Sequence, residues 1–352
     1  MGSHEKPLAL DGSHGEGGGQ ILRTALTLAL VTGRAFRVVK IRANRDRPGL
    51  RPQHLTAVNA AAELGGAVVS GAAVGARELT FRPAAYEARD LEIDIGTAGA
   101  TALVLQTLHL PLALKAQGPV TVSLSGGTFN TKAPSWPFLA TTWQAHVSAL
   151  GAPVRLAMPR AGFFPRGGGR LEATIAPATL RPLIRERRGP LVRVTGEAGV
   201  ARLNPGIAAR MRDRAEERLT RAGLAAEVVI DLVEWEALSP GAAIRLTAEH
   251  GTGDPPATFV GLGERGKPAE AVADEAVAEL LAFEAVADGA VDPHSADQLL
   301  LPLALADGPS VFTVSEVTEH LRTNARTIRA FLDRLLTIEE PEGGRPGRVT
   351  LT

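Results

Sequence analysis

Three times along the chain, a tight polar or glycine-rich turn runs straight into an unbroken apolar stretch. The turns and their apolar runs are Gly15-Glu-Gly-Gly-Gly then QILRTALTLALVTG, Gly96-Thr-Ala-Gly-Ala then TALVLQTLHLPLAL, and Asp292-Pro-His-Ser-Ala-Asp297 then QLLLPLALADG. Apolar residues on all sides predict helices buried around most of their circumference. Each is followed by a second helical pattern, over 51–65, 133–151 and 315–336. In the first two of these, glycine after the last apolar residue reads as a C-cap. Alternating stretches around the helices predict strands at 36–43, 79–83, 91–96, 120–127, 169–177 and 348–352. The repeating unit is therefore two helices with a small sheet, a supersecondary module larger than a solenoid turn.

The third unit does not begin where the second ends. Between 186 and 278 the pattern changes to strand, helix and further strands. LVRVTGEAGV leads into NPGIAARMRDRAEERLTRAG, with Asn204 as N-cap and Pro205 at the first helical position. A helix from about 268 to 288 leads back. The expected organisation is a body of residues 7–185 and 279–352 with a small α/β domain, 186–278, inserted. Residues 1–6 are left outside this reading.

Composition narrows the function classes. Hydrophobic residues make up 45% and charged residues 22%, with formal net charge zero. That balance argues against a broad basic coat for nonspecific nucleic-acid binding, though not against a local basic site. With no cysteine, disulfides and thiolate nucleophiles are excluded, and a cytoplasmic location fits. No run of about 18 apolar residues predicts a membrane span. The eight histidines lack zinc-motif spacing.

Two loops carry candidate chemistry. In GSHGEGGGQILR, glycines allow a ligand to approach backbone at the mouth of a helix, a natural phosphate site. Glu16 would repel phosphate unless a divalent cation lay between them, so Glu16 reads as a metal or phosphate-site residue. An ordinary glycine-rich turn with an acidic helix start accounts for the same letters. In IRANRDRPGLRPQHL, Arg42, Arg45, Arg47 and Arg51 crowd one strand-to-helix connection. They suit an anion such as RNA phosphate, with Arg23 one turn into the first helix as an addition; a solvated charged loop is the plainer alternative. The segment VFTVSEVTEHLRTNARTIRAFLDRLL also scans as a DNA-binding helix-turn-helix, although it fills the second-helix slot of the third unit.

Seven segments in order over the whole chain together resemble the RNA 3′-terminal phosphate cyclase family. They are LDGSHGEGGGQILR, IRANRDRPGLRPQHLTAV, GTAGATALVLQTL, SGGTFNTKAPSWPF, FFPRGGG, the SADQLLLPLAL run and EHLRTN. The resemblance implies an α/β (α+β) fold of three repeats of a two-helix, four-stranded unit plus a small inserted α/β domain. It implies ATP-dependent conversion of an RNA 3′-terminal phosphate to a 2′,3′-cyclic phosphate through enzyme-histidine-AMP and RNA(3′)pp(5′)A intermediates. His320 matches the family nucleophile. By the same matching, Glu16 holds a divalent cation (Mg²⁺ or Mn²⁺), and Arg23, Arg42 and Arg45 bind phosphates. Gln53, Gln106, Ala133, Pro134, Phe138, His294, Ser295, Ala296, Asp297 and Gln298 form the nucleotide site. His294 departs from the family's tyrosine, and Glu319 directly precedes the nucleophile. The implied partners are ATP and RNA with a 3′-phosphate end, with no membrane, as a monomer or homodimer. Non-catalytic relatives that serve in RNA processing lack the histidine; His320 with Glu16 and Arg23 favours the enzyme.

Overall fold

The computed structural model describes residues 6–15, 17–224, 226–251, 253–342 and 345–352. It is a mixed α/β fold whose described strands form four small four-stranded sheets. The first sheet holds β1 (Leu8–Asp11), β2 (Phe36–Val39), β3 (Val68–Ser70) and β4 (Leu79–Arg82), in the order β1-β2-β4-β3. Helix α1 (Gln20–Thr32) connects the parallel pair β1 and β2, and α2 (Pro52–Gly65) leads to β3. The second sheet, β5-β6-β8-β7, combines β5 (Leu91–Asp94), β6 (Val120–Gly126), β7 (Val154–Arg160) and β8 (Gly169–Ile175). Helix α3 (Thr101–Lys115) joins its parallel pair. The route from β6 to β7 is helical: α4 (Trp136–Phe138), a π-helical turn over Leu139–Trp143, and α5 (Gln144–Ala149).

A third sheet pairs β9 (Ile184–Arg185) parallel with β14 (Ser310–Val314), then β16 (Gly347–Leu351) and β15 (Leu336–Glu339) antiparallel. Strand order and sense in these three sheets match, one parallel pair followed by two antiparallel neighbours. Between β9 and β14 lies the fourth sheet, with strands β10 (Leu191–Ala201), β11 (Glu227–Glu234), β12 (Gly241–His250) and β13 (Ala257–Leu262). Helices α6 (Gly206–Arg221) and α7 (Ala269–Glu284) cover one face of it. Helix α8 (Pro293–Leu305) then precedes β14, and α9 (Glu319–Phe331) precedes β15.

The apolar helices do what their composition demands. Helix α1 packs on α2, α3 and α9, and α8 packs on α9. Leu22, Leu26, Leu28, Val104, Leu105, Leu300 and Ile328 join one large core with the inner faces of three sheets. A second core, Val194, Met211, Ile244, Leu246, Phe259, Val272, Leu280 and Phe283 among its members, fills the space between the fourth sheet and its helices. That core runs through all of α7, so a division at 278/279 falls inside a helix.

The C-terminal segment differs from expectation. Its helix starts at Glu319, because the Thr318 hydroxyl caps it by accepting from Leu321 N–H at 3.1 Å. Residues 315–318 are therefore a turn after β14, and no first helix exists for a helix-turn-helix. Leu321, Ile328 and Phe331 of the single helix are buried against the body.

Candidate active site

The N-termini of α1, α8 and α9 converge on a cleft of about 1140 Å³. Gln20 and Arg23 come from α1, Arg45 from the arginine-rich loop, and Asn130 to Ser135 with Phe138 from the β6–α4 connection. Pro293, His294, Asp297 and Gln298 come from α8, and the run from Ser315 to His320 with Arg322 from the start of α9. The opposite wall belongs to the fourth sheet and its helix: Thr258, Phe259, Val260 and Leu262 of β13, and Glu275, Glu279, Ala282 and Phe283 of α7.

His320 sits in the first turn of α9, where free backbone N–H groups and the helix dipole favour an anion. Its Nδ1 lies 2.8 Å from Gln20 Oε1. Gln20 Nε2 in turn donates to Asp297 Oδ2 at 3.3 Å, and Gln298 Nε2 donates to Asp297 Oδ1 at 2.8 Å. A carbonyl oxygen only accepts, so Nδ1 is the donor in this contact. Asn324 completes the support: its Nδ2 donates to Asp297 O at 2.7 Å and its Oδ1 accepts from Thr24 at 2.8 Å. Burial pushes the Asp297 carboxyl up, while His320, the Gln298 amide, His294 and Arg23 pull the other way.

Behind this relay lies an inner cavity of about 70 Å³ between Arg23, Thr27, Gln106, His109, Trp143, Asp297 and Gln298. That is room for a few water molecules. Arg23 is half-buried between this cavity and the cleft, and among the described residues its guanidinium makes no hydrogen bond. Burial pulls its pKa down to about 10, opposed by the Asp297 charge. Gln106 Nε2, in the same cavity, is also buried without a partner. A buried amide donor without a partner and a guanidinium without a hydrogen bond face one space, an arrangement that suits an anion.

Arginine charge extends to His54. Burial, then Arg23, Arg42 and Arg51, hold its imidazole down at about 3, and Nδ1 accepts from Arg51 N–H at 3.2 Å. Gly19 makes this packing possible, since a Cβ there would overlap His54 Nε2 and Arg23 Nη1. Gly15 is likewise required: it has φ +57° and a Cβ would run into the Thr323 hydroxyl of α9. The glycine-rich loop is thereby pressed onto the helix that carries His320.

The structure brings together most of the residues singled out from sequence. His320, Arg23, Arg45, Ala133, Pro134, Phe138, His294, Asp297 and Gln298 line the cleft, and Gln106 lines the cavity behind it. Ser295 and Ala296 are buried beneath the wall. Gln53 lines neither space; its Oε1 accepts from Ala100 N–H at 2.9 Å, at the start of α3. Arg42 is turned into its own loop, where Nη1 donates to Arg47 O and Gly49 O at 2.7 and 3.0 Å. Glu16 lies outside the described residues. His294 Nε2 is 3.3 Å from Glu279 of α7, which raises its pKa to about 9. Glu319 accepts from Arg322 at 3.0 Å, so its charge is shared with that guanidinium.

Sequence reasoning missed Gln20, Asn324 and Thr24 as site residues, and the whole wall from β13 and α7. Gln20 had a signal, as the first helical residue after the glycine loop. Phe259 and Glu279 had none, because only the docking of the fourth sheet brings them to the cleft.

Comparison with known proteins agrees with the geometry. The profile of the RNA 3′-terminal phosphate cyclase family matches residues 14–338. An RNA 3′-terminal phosphate cyclase of Caldivirga maquilingensis is 43% identical over 333 residues, covering 93% of each chain. Those of Ralstonia nicotianae and Koribacter versatilis are each 44% identical, over 94% and 95% of this chain and 93% and 92% of theirs. Likeness of that depth over nearly the full length is a family relationship, and this chain belongs to the RNA 3′-terminal phosphate cyclase family of enzymes.

Proposed function

We propose that this chain uses ATP to convert an RNA 3′-terminal phosphate into a 2′,3′-cyclic phosphate, with His320 as covalent nucleophile. The observation that carries the reading is the pairing of the His320 imidazole, held by Gln20, with the Arg23 guanidinium, which makes no hydrogen bond among the described residues, in one cleft. In the first step His320 Nε2 attacks the α-phosphorus of ATP; an N–P bond forms, the P–O bond breaks and pyrophosphate leaves. In the second, a 3′-phosphate oxygen of the RNA attacks that phosphorus and the N–P bond breaks, giving RNA(3′)pp(5′)A and free His320. In the third, the neighbouring 2′-hydroxyl attacks the 3′-phosphorus, loses its proton and expels AMP.

The residues divide the work. Gln20, held by Asp297, keeps the proton on Nδ1, so the attacking nitrogen faces the cleft. Arg23, Gln106 and Arg45 stabilise the charge that builds on the phosphoryl oxygens, while Arg42 shapes the loop and adds its field. Ala133, Pro134, Phe138 and Phe259 offer an apolar slot for the adenine, with His294, Ser295, Ala296, Asp297 and Gln298 closing one side. Gln53 steadies the α3 entry behind them. Glu16 would hold Mg²⁺ or Mn²⁺ together with substrate phosphate oxygens. Such an ion supplies Lewis-acid stabilisation of the pyrophosphate leaving group.

At the level of the fold, this reading takes the three matching sheets as repeats of a body, 7–185 and 279–352, and 186–278 as the inserted domain. The packing of α7 favours moving the second break past Glu284. The protein then works on RNA in the cytoplasm, as a monomer or homodimer.

Incubation with α-³²P-ATP and a divalent cation tests the reading. Acid-labile, alkali-stable label on the protein is expected, together with cyclised 3′-ends on added RNA. His320→Ala is expected to lose the label and at least about four orders of magnitude of turnover. No label on the wild type would leave a non-catalytic RNA-binding protein instead.

A further inference from the structure

The segment FFPRGGG, between β7 and β8, takes no part in the cleft described above. Its two phenylalanines have opposite fates. Phe163 is buried, stacked on Phe129 with ring centroids 4.6 Å apart, and Trp235 lies against both. Phe164, the next residue, is 80% exposed. Burying such a ring would stabilise the fold, so leaving it in water costs stability unless something covers it in use.

The loop that holds Phe164 is braced at every turn. Gly167 N donates to Phe163 O at 2.8 Å, Arg166 N donates to Ser239 Oγ at 3.2 Å, and Arg160 Nε donates to Gly168 O at 2.6 Å. Gly167 and Gly168 have φ of +63° and +67°, and a Cβ on either would strike Ala98 backbone or the Leu238 side chain. A ring on so rigid a mount is a platform already formed before any partner arrives.

Its location follows from the backbone. Thr128 N and Phe129 N both donate to Gly162 O, at 2.9 and 3.2 Å, and Gly162 N donates to the Thr128 hydroxyl at 2.9 Å. The chain continues directly from Phe129 into Asn130, Thr131 and Lys132, which rim the cleft containing His320. Phe164 is two residues beyond Gly162, a span of at most about 7 Å. The platform therefore flanks the mouth of the cleft on the side of the β6–α4 loop.

Charge distinguishes this flank from others. Lys132 on the rim, Arg166 two residues after Phe164 and Arg202 at the end of β10, next to Ala201 in the cluster that buries Phe163, are all exposed. Among the described residues, none of these three cations has a side-chain hydrogen bond or ion pair. An exposed aromatic face with uncommitted cations is the surface that single-stranded nucleic acid takes, bases on the ring and phosphates on the cations.

We infer that Phe164, flanked by Lys132, Arg166 and Arg202, is a second RNA-contact site, where a base upstream of the 3′-terminal phosphate stacks while the terminus reaches His320. The inference rests on the proposed function for the identity of the substrate. It commits to single-stranded RNA as the occupant, because an exposed ring and three unpaired cations supply both the stacking face and the phosphate partners such a strand needs, with the exposed Glu234 and Glu236 beside Trp235 setting where the phosphates do not run.

The test compares 3′-phosphorylated RNA of two lengths, a dinucleotide and an oligomer of about ten nucleotides, on wild type, Phe164→Ala, Phe164→Leu and Phe164→Trp. For the longer RNA, Phe164→Ala should raise KM roughly 5- to 100-fold with kcat unchanged. Phe164→Leu should do the same and Phe164→Trp should restore the wild-type value. Dinucleotide KM and covalent labelling of His320 by ATP should not change in any variant. Polarisation binding of the longer RNA without ATP should fall in parallel, and this readout stands even if no cyclisation is found, which separates failure of this site from failure of the proposed reaction. Equal KM and equal binding in wild type and Phe164→Ala would overturn the inference. So would full function of Phe164→Leu, or a concentration-dependent dimer that Phe164→Ala abolishes while RNA binding is unaffected.

Discussion

Arg23 at the cleft and the arginines of helix α6 stand in opposite circumstances. On α6 every arginine has an acidic partner: Arg210 with Glu270 at 3.7 Å, Arg212 with Asp213 at 2.8 Å, Arg214 with Asp274 at 2.8 Å, Arg218 with Asp274 at 3.0 Å, and Arg221 with Glu217 at 2.6 Å. In the cleft, Arg23 is half-buried and, among the described residues, has only the Coulombic pull of Asp297. The first set is a surface lattice joining α6 to α7, in which each charge is already answered. The second is a stored electrostatic deficit, tolerated by the fold and relieved by an arriving anion. Residue type and local density are alike in both regions; what separates function from surface chemistry is whether the partner is supplied from within.

That difference makes its largest prediction at Arg23. Replacement by Met removes a partly desolvated cation that makes no hydrogen bond among the described residues, so stability should hold or rise, as desolvated charges with poor partners are costly. Transfer of AMP to His320 should nevertheless fall on the order of 10²- to 10³-fold, the usual cost of one donor aimed at developing charge. Melting temperature and single-turnover labelling, measured together, check both halves. A variant that loses stability and activity in proportion would make Arg23 a structural residue and erase the contrast with α6.

The sequence carried this region well, because its chemistry is local. Gly15, Gly19, Gln20 and Arg23 lie within nine residues of one another, at a loop-to-helix junction whose letters announce close backbone approach. It says less about α6 for the same reason: the letters show an arginine-rich helix, but Asp274 and Glu270 sit on α7 more than fifty residues away. The partner that cancels Arg214 and Arg218 is visible only after the two helices dock. Phe259 and Glu279 reach the cleft by the same docking. Within the fold, long apolar helices were legible from their period, whereas the edge strands β3, β9 and β15 are two to four residues long and leave no periodic signal. The 315–318 turn was read as helix because the pattern could not show that the Thr318 hydroxyl caps α9.

Histidines extend the comparison to pH. His54 beside Arg23 is held neutral, its pKa lowered to about 3 by burial and then by Arg23, Arg42 and Arg51. His109 and His146 are lowered to about 4 and about 3, mainly by burial. A histidine with a depressed folded-state pKa contributes stability that is fully present above its unfolded value near 6.5. That stability is lost as pH falls from 6.5 toward the folded value, because the unfolded chain takes up the proton first. Between pH 6.5 and 5 each of the three should cost up to about 2 kcal/mol. Urea unfolding at pH 7 and pH 5 measures the sum. Carried on to pH 3.5, close to the folded value of His54, the fall should be smaller in Arg23→Met, where one of the charges suppressing the His54 proton is gone. An identical fall in that variant would show that the Arg23 field does not reach His54.

The smallest expected effects lie on α6, and they decide whether its arginines are as fully committed as their pairings indicate. Arg221 bonds Glu217 one turn earlier and is largely exposed, with 72% of its side chain accessible. A pair of this kind is worth about 0.3–0.5 kcal/mol and weakens with salt. Arg221→Ala should therefore shift the unfolding free energy by no more than about 0.5 kcal/mol. RNA affinity should be unchanged, and so should its salt dependence, since a cation bound to a carboxylate releases no counterion from RNA when it is removed. A cation that did touch phosphate would show itself by a slope of log affinity against log salt reduced by about one. Arg166→Ala provides the matched control from the flank of the cleft, where the slope should drop. If Arg221→Ala lowers the slope and Arg166→Ala leaves it unchanged, RNA lies along α6, its ion pairs open on binding, and the absence of an internal partner is not what marks a working arginine in this protein.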